Sequence, residues 1–244
     1  FTWDPADKVV FTCDFLGAHF CEPTMLDSKI HDKAAYAGER HFYYQCIFGP
    51  FASYVQAGLS KLPAEAEMAC TSHGPVLTET LEECKALYRQ WSTPVPKEGK
   101  TAAIIYASAY GCTRALAQAA AEALEEMGIR TVQHDVTMES LDACAAITNE
   151  ADVVLVGSAT INRDAPKAVW DVLGSIDAIN TKGRAAGAFG AYGWSGEAPG
   201  MLQTRLGQLK FATPAEAFRV LFTPTQSDLD AMKDYARSVA ALLK

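Results

Sequence analysis

The chain has 244 residues, of which 49% are hydrophobic and 20% charged, a balance typical of a folded globular protein. Its formal net charge of −8, without any cluster of lysine and arginine, argues against partners such as nucleic acid or an anionic membrane. Its apolar runs have the length of a strand and fall far short of a membrane span.

Seven cysteines are scattered along the chain without a CxxC pair, at Cys13, Cys21, Cys46, Cys70, Cys84, Cys112 and Cys144. An odd and dispersed set argues against a disulfide framework or a zinc site. We therefore expect small buried side chains in a reducing compartment, which predicts a cytoplasmic protein.

The first part of the chain begins with a predicted β-hairpin in FTWDPADKVVFTCD, because a turn at residues 4–7 separates two apolar runs. EMACTSHG (67–74) predicts a strand that runs into a loop. WSTPVPKEGKT (91–101) carries two prolines and a glycine and predicts a linker. We therefore expect one domain at 1–95 and a second at 96–244. Helices in the first domain are predicted at 33–48, 50–61 and 78–91.

From Lys100 onward, apolar runs of strand length alternate with amphipathic helices. Such a pattern predicts an α/β domain with a parallel sheet covered on both faces. Right-handed crossovers favour a five-stranded, doubly wound sheet of the flavodoxin type. The predicted strands are 101–108, 129–136, 152–159, 184–192 and 218–222. The predicted helices are 113–127, 138–147, 165–177, 197–209 and 226–243.

Three loops follow predicted strands: SAYGCT (108–113), GSATINRDAP (157–166) and AYGWSGEAPG (191–200). In an open parallel sheet such loops gather where ligands bind. The first leads into a helix N-terminus and contains no lysine or arginine, which favours a monophosphate over a triphosphate. Its aromatic neighbours suit a planar ring. By itself, the first loop is equally consistent with an ordinary strand–helix turn. The candidate residues are Ser108, Ala109, Tyr110, Gly111, Cys112, Thr113, Ala159, Thr160, Ile161, Asn162, Tyr192, Gly193, Trp194, Ser195 and Gly196.

Residues 100–244 resemble flavodoxin-type FMN domains. YASAYGCT, GSATINRDAPKAVWDVLGSID and AFGAYGWSGEA are more narrowly similar to the flavodoxin domain of flavodiiron proteins, the A-type flavoproteins. Tyr110 fits that subfamily, whereas Cys112 stands where asparagine is usual. The resemblance implies that residues 108–113 hold the FMN phosphate and that the loops at 159–162 and 192–196 hold its ring.

VVFTCDFLGAHF and ACTSHGPVL resemble the second half of the αββα metallo-β-lactamase-like domain of the same family. The resemblance implies that Asp14 bridges two irons and that His73 is an imidazole ligand. From the residues alone, a turn cap at Asp14 and a loop donor at His73 are favoured over a metal site, and it is the resemblance that favours the metal site. The family's HxExDH segment has no counterpart here, because His19, His31 and His41 lack its spacing. We expect a partial iron site, with His19 able to line it without being a ligand.

The resemblance also implies a function. Electrons would pass from rubredoxin or a similar donor through FMN to the diiron centre, reducing dioxygen to water or nitric oxide to nitrous oxide. It implies a homodimer or homotetramer. Because Phe1 stands inside a predicted hairpin, we expect the first half of the diiron domain to lie elsewhere and to cover Phe42, Tyr43, Phe48 and Phe51.

Three other functions remain open at this point. The chain could be an FMN electron carrier without a working diiron site, a hydrolase of the metallo-β-lactamase class, or an FMN-dependent quinone reductase. The hydrolase lacks its metal-binding cluster in this sequence, and the reductase leaves the first 95 residues without a purpose.

Overall fold

The computed structural model describes residues 1–95, 97–181 and 183–243. The chain forms two compact units, Phe1–Pro96 and Lys97–Lys244. None of the described helices combines the length and the apolar character that crossing a membrane requires.

Over residues 1–95, the first unit contains a small mixed sheet, three α-helices and two short 3₁₀ helices. Its strands lie in the order β1, β2, β3, with the first pair antiparallel and the second pair parallel. The antiparallel pair is the hairpin predicted for residues 1–14. The elements are β1 (Thr2–Asp4), β2 (Val9–Cys13), α1 (Lys33–Ile47), α2 (Ala52–Leu59), β3 (Met68–Thr71) and α3 (Leu81–Ser92).

Aromatic rings fill much of the core of the first unit. Tyr88 packs edge-on against Tyr44 and Phe15, with ring centroids 5.0 and 5.3 Å apart. Tyr43 is only 1% exposed, so the expectation that it needs a covering partner is wrong: the unit buries it with its own residues. Phe42 and Phe51, by contrast, remain substantially exposed.

The second unit is a parallel sheet with helices on both faces, as the sequence predicts. The strand order is β5-β4-β6-β7-β8, which is the doubly wound order with one switch of direction beside β4. The strands are β4 (Thr101–Ala107), β5 (Arg130–Asp135), β6 (Val153–Ser158), β7 (Ala185–Tyr192) and β8 (Phe218–Leu221). The helices are α4 (Cys112–Glu126), α5 (Leu141–Glu150), α6 (Lys167–Gly174), α7 (Ala198–Gln208) and α8 (Gln226–Ala240).

Each face of this sheet buries one apolar layer. Helices α4 and α8 pack on one face, and α5, α6 and α7 pack on the other. The central strand β6 is buried along its whole length, because both faces of VVLVGS are covered. Helix α4 is rich in alanine, which has the lowest helical cost and allows close packing on the sheet.

Two helices begin three residues after the start that the sequence pattern predicts: α3, predicted from 78, begins at Leu81, and α5 is the other. The sequence pattern places the start of α5 at 138, whereas the helix begins at Leu141. The Ser140 side chain accepts a hydrogen bond from the N–H of Ala143 at 3.2 Å, so Ser140 is the N-cap. Before it, Thr137 is held in a turn by its two hydrogen bonds to the Asp135 carboxylate.

Candidate functional site

A cleft of about 680 Å³ opens at the carboxyl ends of the strands in the second unit. Its size is within the range of pockets that bind a small cofactor. The ends of β6 and β7 approach so closely there that a Cβ on Gly190 would stand 2.0 Å from the carbonyl oxygen of Ser158. Only glycine fits at that position, and the close approach brings the loops after β6 and β7 together.

The first wall of the cleft is the loop between β4 and α4. Gly111, with φ of 85°, turns the chain into the helix through a backbone conformation that other residues avoid. The N–H of Arg114 donates to the Ser108 hydroxyl at 3.3 Å, which curls the loop around the helix start. The N–H groups of Cys112 and Thr113 belong to the first helical turn and have no intrahelical acceptor, so they can hold an anion.

The charge beside this loop is compensated within the unit. The Arg114 guanidinium lies 3.1 Å from the Asp135 carboxylate. Burial alone would raise the pKa of Asp135, but hydrogen bonds from Thr137 and the neighbouring Arg114 lower it below its usual value. An anion in the loop would therefore meet neutral N–H and hydroxyl donors and the positive end of a helix dipole.

The second wall is a tight turn after β6. The N–H groups of Ile161 and Asp164 donate to each other's carbonyls, and the two residues between them, Asn162 and Arg163, have φ of 53° and 63°. Two left-handed residues within such a pair of bonds define a narrow hairpin turn. The Asp164 carboxylate accepts a bond from the Trp170 indole at 2.9 Å, which fixes the turn to α6.

The third wall is the loop after β7, which carries Trp194. Trp194 is 96% exposed, and Tyr110 in the first loop is 95% exposed. Exposure of two large aromatics beside one cleft is unusual and indicates a site for a planar ligand. The Ser195 hydroxyl donates to the Glu197 carboxylate at 2.7 Å and lowers the pKa of that carboxyl. The N–H of Ala198 reaches the Thr160 hydroxyl, joining this loop to the second.

Most of the ligand-binding residues predicted from the sequence line this one cleft. Gly111, Ser195 and Gly196 do not, although they belong to the loops that shape it. Three residues that line the cleft are not among those predicted: Ala191, Phe222 and Thr223. The sequence pattern places Phe222 in the last strand, whereas β8 ends one residue earlier. The predicted residues that line it are Ser108, Ala109, Tyr110, Cys112, Thr113, Ala159, Thr160, Ile161, Asn162, Tyr192, Gly193 and Trp194.

The two residues predicted as iron ligands lie side by side in the first unit. The Nε2 atom of His73 is 3.3 Å from Oδ1 of Asp14, and both side chains are half exposed. The carbonyl of His73 accepts bonds from the N–H of Ala18 and the hydroxyl of Thr71, so the loops after β2 and β3 are joined. A carboxylate and an imidazole therefore lie next to each other, and both groups bind iron well.

His19 and Tyr43 surround the same point. The His19 ring lies 5.9 Å from the His73 ring and packs edge-on against Tyr43 at 4.7 Å, centroid to centroid. The Tyr43 hydroxyl donates to the carbonyl of Asp14 at 3.2 Å, and burial together with the charge of Asp14 raises the pKa of Tyr43 to about 12. Within residues 1–95, 97–181 and 183–243, no three or more His, Cys, Asp or Glu side chains form a metal-binding group.

Comparisons with known proteins cover both units. The flavodoxin family model matches residues 104–234. A flavo-diiron protein of Clostridium acetobutylicum is 40% identical over 98% of this chain and 62% of its own length. A type A flavoprotein of Rhodobacter capsulatus is 32% identical over 98% of this chain and 56% of its own length. The chain thus spans less than two thirds of the length of either relative.

Solved structures give the same result. The flavodiiron core of a Synechocystis protein is 30% identical, with a TM-score of 0.55 over 98% of this chain and 59% of that one. The rubredoxin:oxygen oxidoreductase of Desulfovibrio gigas, at 24% identity, shares the fold with a TM-score of 0.64 over 98% of this chain and 61% of its own. The predicted fold, a flavodoxin-like sheet preceded by a metallo-β-lactamase-like unit, is confirmed. The chain therefore belongs to the flavodoxin family, and over 98% of its length it is similar to a flavo-diiron protein.

Proposed function

We propose that the second unit binds FMN and that the chain is the electron-transferring segment of a flavodiiron oxidoreductase. The observation that carries the proposal is the convergence of three loops on a single cleft with two exposed aromatic rings. One of these loops leads into the N-terminus of α4. A phosphate and a planar ring are the two groups that such a cleft accommodates together.

The phosphate would be held at the start of α4. The backbone N–H groups of Cys112 and Thr113 and the hydroxyls of Ser108 and Thr113 are the donors there. Cys112 supplies no side-chain amide, so its contribution is its backbone N–H. Because Arg114 is paired with Asp135, helix dipole and neutral donors carry the binding, which suits a monophosphate.

The flavin ring would lie between the second and third loops. Tyr110 and Trp194 offer apolar faces for stacking, and the backbone of the turn at 161–164 and of the Tyr192–Gly193 segment offers donors and acceptors to the polar edge of the ring. When bound, FMN supplies a centre that accepts electrons from a donor protein and releases them to a metal.

The iron site of the first unit would receive two of its ligands from this chain, Asp14 as the bridging carboxylate and His73 as an imidazole. A paired-iron site needs several ligands per metal, so the others would come from outside the 244 residues. On this proposal rubredoxin or a similar protein donates the electrons, a homodimer or homotetramer forms in the cytoplasm, and dioxygen or nitric oxide is reduced.

Purification of the full 244-residue chain tests the FMN proposal directly. We expect a yellow protein with flavin absorbance, from which acid releases about one FMN per chain, or an apoprotein that quenches added FMN fluorescence. A colourless protein that FMN cannot reconstitute would refute the proposal.

A simpler function is an FMN electron carrier without iron. It is favoured by the finding that, within the described ranges, Asp14 and His73 do not form part of a group of three or more metal-binding side chains. The carrier function would be supported by a flavin-containing protein that a donor reduces but that reduces neither dioxygen nor nitric oxide. The assay would include iron and the additional segment of the longer relatives.

A further inference from the structure

A fourth segment reaches the cleft from the loop that follows β8. Phe222 and Thr223 border the cleft together with the three loops described above. Strand β8 is the edge strand beside β7, and the N–H of Phe222 donates to the carbonyl of Tyr192 at 2.8 Å. This bond continues the ladder by one residue and fixes Phe222 against the loop that carries Trp194.

The backbone of Phe222 is in an unusual conformation for an aromatic residue. Its φ of 60° lies in the left-handed region, where the Cβ of any residue except glycine crowds the backbone. The side chain is 64% exposed, so burial within the unit does little to offset that cost. Strained residues held in place by their surroundings are typical of ligand-binding sites.

The ring of Phe222 lies alongside Gly193. A Cβ placed on Gly193 would stand 3.7 Å from Cε1 of Phe222, which is an ordinary van der Waals contact. The ring therefore runs next to the third loop at the rim of the cleft. Since it carries no hydrogen-bonding group, the contact it favours is with an apolar part of a ligand.

We propose that Phe222 packs against the apolar, methyl-bearing edge of the flavin ring and shields that edge from water. The inference rests on the FMN site proposed above. The opposite edge of the ring carries N–H and carbonyl groups and needs the backbone partners of the other loops, whereas the methyl-bearing edge needs only apolar contact. Phe222 is a wall residue whose chemistry suits that edge.

Binding of FMN and of riboflavin to the full-length apoprotein tests this contact. We expect Phe222→Ala to weaken both ligands by the same factor, about tenfold, because the lost apolar contact involves the ring and not the phosphate. Leu221→Ala is the matched control, since Leu221 is also exposed and adjacent but does not border the cleft. It should change neither affinity by more than about twofold.

Phe222→Gly separates strain from contact. Like the alanine variant it lacks the ring, but it relieves the left-handed backbone. We therefore expect its apoprotein to melt at a higher temperature than that of Phe222→Ala, while binding FMN equally weakly. A Phe222→Leu variant, which keeps an apolar side chain, should retain most of the affinity.

The outcomes distinguish this contact from the FMN site itself. If the wild-type chain binds both ligands and Phe222→Ala and Phe222→Gly bind them as tightly, the contact is refuted and the FMN site stands. If Phe222→Ala weakens FMN but not riboflavin, the residue acts on the phosphate and the contact is again refuted. A wild-type chain that binds neither ligand refutes both proposals.

Discussion

Thr113 is buried in the first turn of α4 and also borders the cleft, at the place assigned to the phosphate. We predict that Thr113→Asp weakens FMN binding at least about a hundredfold, or about 2.8 kcal/mol, because a carboxylate would face the phosphate. Thr204→Asp, on the exposed face of α7, makes the same change in charge away from the cleft and should leave binding unchanged. Fluorescence titration of each apoprotein measures both affinities, and equal affinities would contradict the assigned place of the phosphate.

Asp27 is a buried carboxylate that holds the segment before α3. It accepts bonds from the N–H and hydroxyl of Thr80, each 2.7 Å long, and from those of Thr78. Burial alone would raise the pKa of Asp27, but these bonds outweigh it and lower the pKa below its usual value of 3.8. The folded state therefore binds the proton less readily than the unfolded chain does.

The sign of the pH dependence follows. The stabilising contribution of Asp27 is complete above its unfolded pKa of 3.8 and is lost as the pH falls through its lower folded pKa. We predict that Asp27→Asn costs about 3 kcal/mol at pH 7 and removes part of the acid sensitivity of the first unit. Urea denaturation between pH 3 and 7 measures this. The exposed Asp7→Asn is the control, and the same curve for both variants would contradict the role of Asp27.

Tyr43 and Phe222 differ from the expectation based on sequence for the same physical reason. The sequence predicts that Tyr43 needs an outside partner, but the unit buries it. Its ring packs against His19, which is distant in sequence, and against Phe48, which follows the end of α1. Phe222 continues an apolar run, and nothing in the sequence marks the backbone turn that directs it to the cleft. Both outcomes depend on tertiary neighbours, which single-sequence patterns do not contain.

At the scale of elements, the parallel strands were predicted to within one residue at each end. Their apolar runs are buried on both faces, so the pattern itself ends where burial ends. The three cleft loops follow from that prediction, because the carboxyl ends of parallel strands share one edge of the sheet. Helix α5 was placed too early because its start depends on one hydrogen bond of Ser140, not on hydrophobic periodicity.

This cap gives a prediction at the same scale. Ser140→Ala should lower the free energy of unfolding of the second unit by about 1 kcal/mol, because the N–H of Ala143 loses its acceptor. Ser227→Ala replaces an exposed serine inside α8 that is not an N-cap, and should be close to neutral. Chemical denaturation followed by circular dichroism compares them, and an equal loss in both variants would show that the cap contributes nothing specific.

At the scale of the whole molecule, the predicted cofactor sites differ in completeness. The cleft brings its three predicted loops together, whereas at the iron site Asp14 and His73 lie side by side without a larger group of metal-binding side chains among the described residues. We predict that the isolated 244-residue chain, reconstituted with FMN and ferrous iron, retains well below two irons after desalting. Elemental analysis measures this, with Asp14→Ala as the control for adventitious iron. Two firmly bound irons per chain would show that further ligands lie within this sequence.

The convergence of four separate segments on the cleft also affects the stability of the protein and its resistance to proteolysis. A ligand that contacts segments so far apart in sequence binds the folded state and has nothing to bind in the unfolded one. By mass action, FMN present at a hundred times its dissociation constant would add about 2.7 kcal/mol to the stability of the second unit. Cellular supply of the cofactor would then set the lifetime of the protein as well as its redox capacity, since proteases degrade the transiently open, flavin-free form.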